Sequence, residues 1–330
     1  MIKTKHALVV FGLTTVLLAS NCSKNEVSSV PEHNKTILQT KQPIVSNNRL
    51  LFNSQENLIA YLKENMRKKI IDQDGFTSLS TALKNLPDKT PVSDELRDLL
   101  SFGFPQELLS VLNSKGEVRI GDEIVWYHSG KKYYIPVADE SKIDQIKQKP
   151  ESIDKFFDAK QIKLQSINPN AKTDIGLTAT DSRYIKEFYL WGTTHTRFVH
   201  EASAFIEGTN VGTWIAYSVI RLKLEWKDCC KWNPATTIRD VSVNLTGSAN
   251  LYNGTGTLPT NGNYIMGPSV SINVTDVVNS DYVVTLAAVE GYGSLLSGSH
   301  WTLRLDGSIY QYAQGDYLTN AWTNTATPMW

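Results

Sequence analysis

The chain has 330 residues with 33 basic and 33 acidic side chains, so its formal charge is zero. A neutral total without a basic stripe argues against nucleic acid as a partner. Only three cysteines occur, Cys22, Cys229 and Cys230, which excludes a disulfide framework and leaves burial and hydrogen bonding to hold the fold. The length is enough for two domains with their own cores.

Lys3 and Lys5 precede an apolar stretch over residues 7–18 that is too short to span a bilayer comfortably. The run Leu17-Leu18-Ala19-Ser20-Asn21-Cys22 that follows resembles a bacterial lipobox. That resemblance implies a signal peptide over residues 1–21, a lipidated Cys22 as the new N-terminus, and attachment to the membrane through lipid. Ser23-Lys24-Asn25-Glu26 resembles the surface-export signal of Bacteroidota lipoproteins, which implies the outer membrane and exposure at the cell surface. An ordinary secreted protein and an N-terminal membrane anchor are the rival readings. Residues 22–50 are polar and read as a tether.

Residues 51–145 read as a small α+β domain. Asn53 and Glu56 have capping-box spacing, with Leu58, Ile59, Leu62 and Met66 on one helical face. Ser93-Asp94-Glu95-Leu96 opens a second helix and Pro105-Gln106-Glu107 a third. The period then becomes two. Residues 117–120, 123–128 and 132–137 predict a three-stranded meander with turns at Gly121-Asp122 and Gly130-Lys131. The stretch from Asp98 to Pro136 is similar to a segment of uncharacterised Bacteroidota surface lipoproteins, carried by Leu112-Asn113, Gly116-Glu117 and Gly121-Asp122. It implies a lineage and no activity. Ile71-Asp72-Gln73-Asp74-Gly75 lacks the spacing of a calcium loop and reads as a helix end capped by Gly75.

Residues 146–181 read as a linker, with a helix compatible with 152–164. Beyond it the composition changes: Trp126 is the lone tryptophan of the first part, whereas Trp191, Trp214, Trp226, Trp232, Trp301, Trp322 and Trp330 all follow. Residues 182–330 alternate as an all-β domain. Between Trp214 and Trp226 the even positions are mostly apolar, while Arg221, Lys223 and Glu225 occupy the other face, the pattern of a half-buried antiparallel strand. Val241, Val243 and Leu245 repeat it, as do Val270, Ile272 and Val274. Asp306-Gly307, between residues 301–305 and 308–312, reads as a hairpin turn. The fold class is therefore an α+β unit followed by an antiparallel β-sandwich. An outer-membrane barrel is disfavoured because charges break the continuous band that lipid requires.

Candidate chemistry is sparse. Cys229 and Cys230 are adjacent, and a vicinal disulfide there would make a strained, reducible loop; two thiols without a role are the alternative. A cysteine pair is also half a zinc site, but no neighbouring histidine completes it, so no metal or cofactor is expected. Trp226 and Trp232 flank the pair with Asp228 and Lys231 beside them, a combination of flat faces and hydrogen-bonding groups suited to a sugar ring or an extended peptide. The register of Trp226 favours burial, and Trp232 is free of that register. His195 and His200 are an odd number of residues apart and would face opposite sides of a strand, with His200 read as a core histidine. Glu201 and Glu207 would share a face but lie about 20 Å apart, too far for a glycosidase pair. Motifs for a serine hydrolase, zinc protease, nucleotide loop or dinucleotide fold are missing.

The sequence thus leads to a lipid-anchored, non-enzymatic envelope protein whose sandwich loops bind a glycan, peptide or partner protein. A surface hydrolase drawing on Glu201, Asp240 and Glu290 is the second reading, and a structural subunit of an envelope complex the third.

Overall fold

The computed structural model describes residues 42–66, 68, 73–87, 92–148, 158–161, 166–167, 180–208, 212–252, 262–293 and 299–330. Cys22, the leader, the tether up to residue 41 and Ile71-Asp72 lie outside the described residues.

Helices begin where short polar side chains meet free backbone N–H groups. Ser54 accepts from the Asn57 N–H and starts α1 (Gln55–Glu64), one position later than the Asn53 spacing predicts. Ser78 and Ser93 likewise open α2 (Leu79–Lys84) and α3 (Asp94–Ser101), and Pro105 precedes α4 (Gln106–Leu109). Leu58, Ile59 and Leu62 bury the apolar face of α1. Behind these helices stand β1 (Ile44–Ser46), β2 (Arg49–Phe52), β3 (Glu117–Ile120), β4 (Glu123–His128), β5 (Lys131–Pro136) and β6 (Asp158–Gln161). They form one sheet in chain order, with β2 and β3 parallel and the other pairs antiparallel. The expected meander is the middle of this sheet. β6 corrects the reading of residues 152–164 as helical: Asp158–Gln161 pairs with β5, whose backbone groups would otherwise form an open edge. Helix α5 (Ile143–Lys147) precedes it.

The rest is β. After β7 (Ser166–Ile167) come β8 (Thr180–Leu190), β9 (Thr194–Gly208), β10 (Thr213–Asp228), β11 (Lys231–Pro234), β12 (Arg239–Tyr252) and β13 (Gly262–Met266). β14 (Ser269–Val278), β15 (Tyr282–Tyr292), β16 (His300–Ala313) and β17 (Trp322–Asn324) complete it. One sheet has the order β13-β15-β10-β9-β8 with β11 beside β10; the other has β14-β12-β16-β17 with β7 beside β16. Their inner faces meet through Ile220, Leu222, Val243, Leu245, Trp301 and Leu305, all buried, the core of a β-sandwich.

Two expectations change. Asp306-Gly307 does not turn the chain; β16 runs straight through it, paired with β12. A Cβ on Gly307 would lie 2.0 Å from the Asn244 carbonyl oxygen, and one on Gly247 2.0 Å from that of Arg304. The glycines are there because the two backbones approach too closely for a side chain. The second change concerns β10, which is buried on both faces. The described residues from 42 onward lie in a single compact unit, and Ile215, Tyr217 and Val219 of β10 share a core with Leu58, Leu108, Phe104 and Tyr127. The α+β layer covers half of what the alternation suggested was a water-facing surface.

Burying that face means burying its charges, and each is met. Lys132 Nζ lies 2.8 Å from both carboxylate oxygens of Glu207, and the Tyr127 hydroxyl donates to Glu207 Oε2 at 2.8 Å. Burial, reinforced by Glu207, holds the Tyr127 hydroxyl far above its ordinary pKa. Arg221 ties Glu201 of β9 to Asp281 before β15, and these two carboxylates more than offset the burial that would lower its pKa. On the inner face His200 is fully buried and stacked on Trp322 at 4.0 Å between centroids. Burial, with Arg239 nearby, pushes its pKa down to about 3.

Lys132→Met strands a buried Glu207 carboxylate, so unfolding in denaturant should show a loss of about 3–5 kcal/mol. Adding Glu207→Gln should recover most of it. Because His200 is neutral in the fold and protonates near 6.5 when unfolded, its contribution is complete above that pH and is lost as pH falls toward 3. His200→Gln should therefore flatten the acid limb of a stability–pH profile between pH 6 and 4, by on the order of a few kcal/mol.

Candidate binding site

The outer face of β9 and β10 is open at the end away from the α+β layer, and pairing assembles an aromatic row there. Tyr189 of β8 stands opposite His195 of β9, and Lys227 of β10 opposite Trp232 of β11. Tyr189 and His195 stack with centroids 5.2 Å apart, and His195 meets the Trp232 indole edge-on at 5.2 Å. One step inward the register aligns Glu187, Arg197 and Glu225. The Arg197 guanidinium carbon sits 4.1 Å from the Trp232 centroid, a cation–π contact, while its Nε donates to Glu225 at 2.7 Å. Burial alone would raise the Glu225 carboxyl, but Lys223 and Arg197 hold it below the ordinary carboxylate range. His195 Nε2 is 2.8 Å from Glu187 Oε2. The row is thus a fixed platform: one face of the strands supplies flat rings and the ion pairs beneath lock their orientation.

Trp232 is half-buried and Tyr189 58 % exposed. Tyr317 and Leu318, in the turn before β17, are exposed at the same end, where Asn320 Nδ2 donates to the Tyr189 carbonyl and Lys186 Nζ donates to the carbonyls of Thr319, Asn320 and Ala321. Those bonds hold the turn against β8.

The structure separates the two tryptophans that the sequence places together. Trp226 pairs with Asn233, one residue out of step with the Lys227–Trp232 pair, so it faces the interior. There it packs with Phe188, Phe198, Leu224 and Trp322. Asp228 and Lys231 are exposed partners at the end of the β10–β11 hairpin, and Cys229 and Cys230 form its two-residue turn. Both cysteines are exposed free thiols, and Cys229 takes a left-handed φ of 41°. Strand alternation found the opposed faces of His195 and His200, and left Trp232, which is half-buried, outside the register of Trp226. It missed Tyr189 and Arg197, because their place depends on the register across the β8–β9 turn, where Trp191 and Gly192 both take positive φ.

The other carboxylates of interest go elsewhere. Glu201 is held by Arg221 and Lys223, Glu290 by Lys63 at 2.6 Å, and Asp240 accepts from Gln314 on the opposite sheet. Glu201 and Glu290 stand opposite Arg221 and Ile215 of β10, about 20 Å apart along the strand. Among the described residues no cluster of three or more histidine, cysteine or acidic side chains is arranged to hold a metal. A cavity of about 660 Å³ lies between α2, α4 and strands β14 and β15, lined by Ser80, Gln106, Glu107, Asp281 and Thr285 among others. Glu107 is buried there and accepts from Thr285 Oγ1 at 3.0 Å. This cavity is a seam between the helical layer and the sandwich and holds no member of the aromatic row.

No family model matches the chain, and no curated protein matches it. Among solved structures, a DUF4848 family protein from Bacteroides thetaiotaomicron aligns over 86% of this chain and 97% of its own at 13% identity, with a TM-score of 0.16. A superposition that loose carries no argument about fold or function. Among the described residues no helix is long and apolar enough to cross a membrane.

Proposed function

We propose that this chain is a lipid-anchored cell-envelope protein that binds a glycan, without catalysis, on the open end of its sandwich. Its address rests on the lipobox-like run ending at Cys22. The ligand class rests on one observation: the Tyr189–His195–Trp232 row, with Arg197 seated on the indole. Sugar rings present apolar C–H faces and a hydroxyl rim, so they are matched by flat aromatic faces beside polar groups. Lys227, Asp228, Glu187 and Lys231 supply that rim with both signs of charge, which favours a neutral sugar over a polyanion. The row stands on paired strands, so little ordering is needed on binding. The hydrolase reading gains nothing from the dispersed positions of Glu201, Asp240 and Glu290.

The test is a panel of immobilised neutral polysaccharides and extended peptides probed with the purified wild-type chain and Trp232→Ala. The expected result is capture by at least one polysaccharide and a loss of about 10-fold or more in the variant, the cost of truncating a central aromatic anchor. Its unfolding free energy should drop by only about 1 kcal/mol, the loss of the cation–π contact. Equal capture by both forms would remove Trp232 from the site, and capture by peptides alone would replace the glycan reading.

A further inference from the structure

A second polar group is sealed between the two sheets, and its composition is one-sided. Arg239 of β12 is completely buried; its Nη2 donates to the carbonyls of Leu222 and Ser280 at 2.9 and 2.7 Å, while Nε and Nη1 have no hydrogen-bond partner. Leu222 stands directly opposite His200 in the β9–β10 register, so the guanidinium reaches the strand row that carries His200. On the facing sheet, Gln311 stands opposite Trp322, whose indole stacks on His200. Gln311 is itself completely buried, one residue pair along from the Arg239–Ala313 pair of β12 and β16 on the inward face, and neither end of its amide has a partner.

The protonation of His200 follows from its neighbour. Asn324 Oδ1 accepts from the Ala326 N–H at 3.2 Å, which turns Asn324 Nδ2 toward His200 Nδ1, 3.3 Å away. Nδ1 therefore accepts, and a neutral ring carries its hydrogen on Nε2, an atom that also lacks a partner. Across these neighbouring strand positions, four unpartnered donor nitrogens on three buried residues stand against one unpartnered acceptor, Gln311 Oε1. One of the three residues is a cation whose nearby carboxylate, Asp281, acts on it without a hydrogen bond and is already paired to Arg221. Buried donors without acceptors are costly, and a buried cation with no hydrogen-bonded counter-charge more so.

We propose that this interior site binds a small monovalent anion of the chloride class, held by Arg239 Nε and Nη1, Gln311 Nε2 and His200 Nε2. The anion neutralises Arg239 and cross-links the sheets, since its ligands come from β9, β12 and β16. Buried water, which can both donate and accept, is the competing occupant; the donor excess and net charge favour the anion.

Two measurements on the wild-type chain decide between them. Crystals soaked in sodium bromide should give an anomalous peak at the bromine edge within hydrogen-bonding reach of Arg239 and His200 Nε2. The thermal midpoint should rise with chloride concentration when gluconate holds the ionic strength constant, as it does for any ligand that binds the native state alone. Gln311→Leu leaves the carbonyl contacts of Arg239 in place and should raise the half-saturating chloride concentration about 10-fold or more, the loss of one hydrogen bond to a charged group. Absence of the bromide peak, or a midpoint equal in chloride and gluconate, would overturn the proposal.

Discussion

The outer face of β9 and β10 has to be two surfaces at once, and the rest of the architecture follows from how its charges are neutralised. Near the chain reversal between the two strands, Glu207 is buried and clamped by Lys132 and Tyr127 of the α+β layer. In the middle, Glu201 meets Arg221. At the far end Arg197 and Glu225 pair under the Trp232 ring. Because the side chains alternate, these charges stand in one line, and each has its counter-charge whether that part of the face is covered or open. Where the α+β layer supplies the counter-charge, the face becomes core. β9 and β10 also supply both charges of the Glu201–Arg221 pair, which is buried, and of the Arg197–Glu225 pair, which lies beneath the half-buried Trp232 ring.

A carboxylate buried without its lysine would repel the layer that covers it, so the layer can dock in only one register. Once docked, the layer hides Ile215, Tyr217 and Val219 and leaves the aromatic row uncovered, with Tyr189 exposed and His195 and Trp232 half-buried. The tryptophans divide accordingly: Trp214 and Trp301 are buried between the sheets, Trp226 packs just beneath the open end, and Trp232 stands on it.

Much of this was legible from local pattern. The strands at residues 117–120 and 123–128 flank the turn that Gly121-Asp122 signals, and the Ser93 cap announces one of the helices. Alternation separated His195 from His200 and freed Trp232 from the core. What local pattern could not give was pairing. Glu207 finds Lys132 at a sequence distance of 75 residues, and nothing near either residue signals the other. The same blindness produced the false turn at Asp306-Gly307: a glycine that accommodates a close neighbouring strand has the same local signature as one that reverses the chain. The linker around residues 158–161 misled for a related reason, since a short strand at a sheet edge is defined by its partner.

The central claim is that the open aromatic row, and no other part of the sandwich, meets the ligand. It is tested most directly by following the indole N–H resonances of the ¹⁵N-labelled chain during titration with a neutral oligosaccharide that the protein captures, with Trp232 assigned through Trp232→Phe. The account predicts a saturable shift of the Trp232 signal while those of the buried Trp214 and Trp301 stay in place. Saturation that leaves the Trp232 signal unmoved, with changes confined to residues around Glu107 and Thr285, would contradict it and move the binding site to the seam beneath the helices.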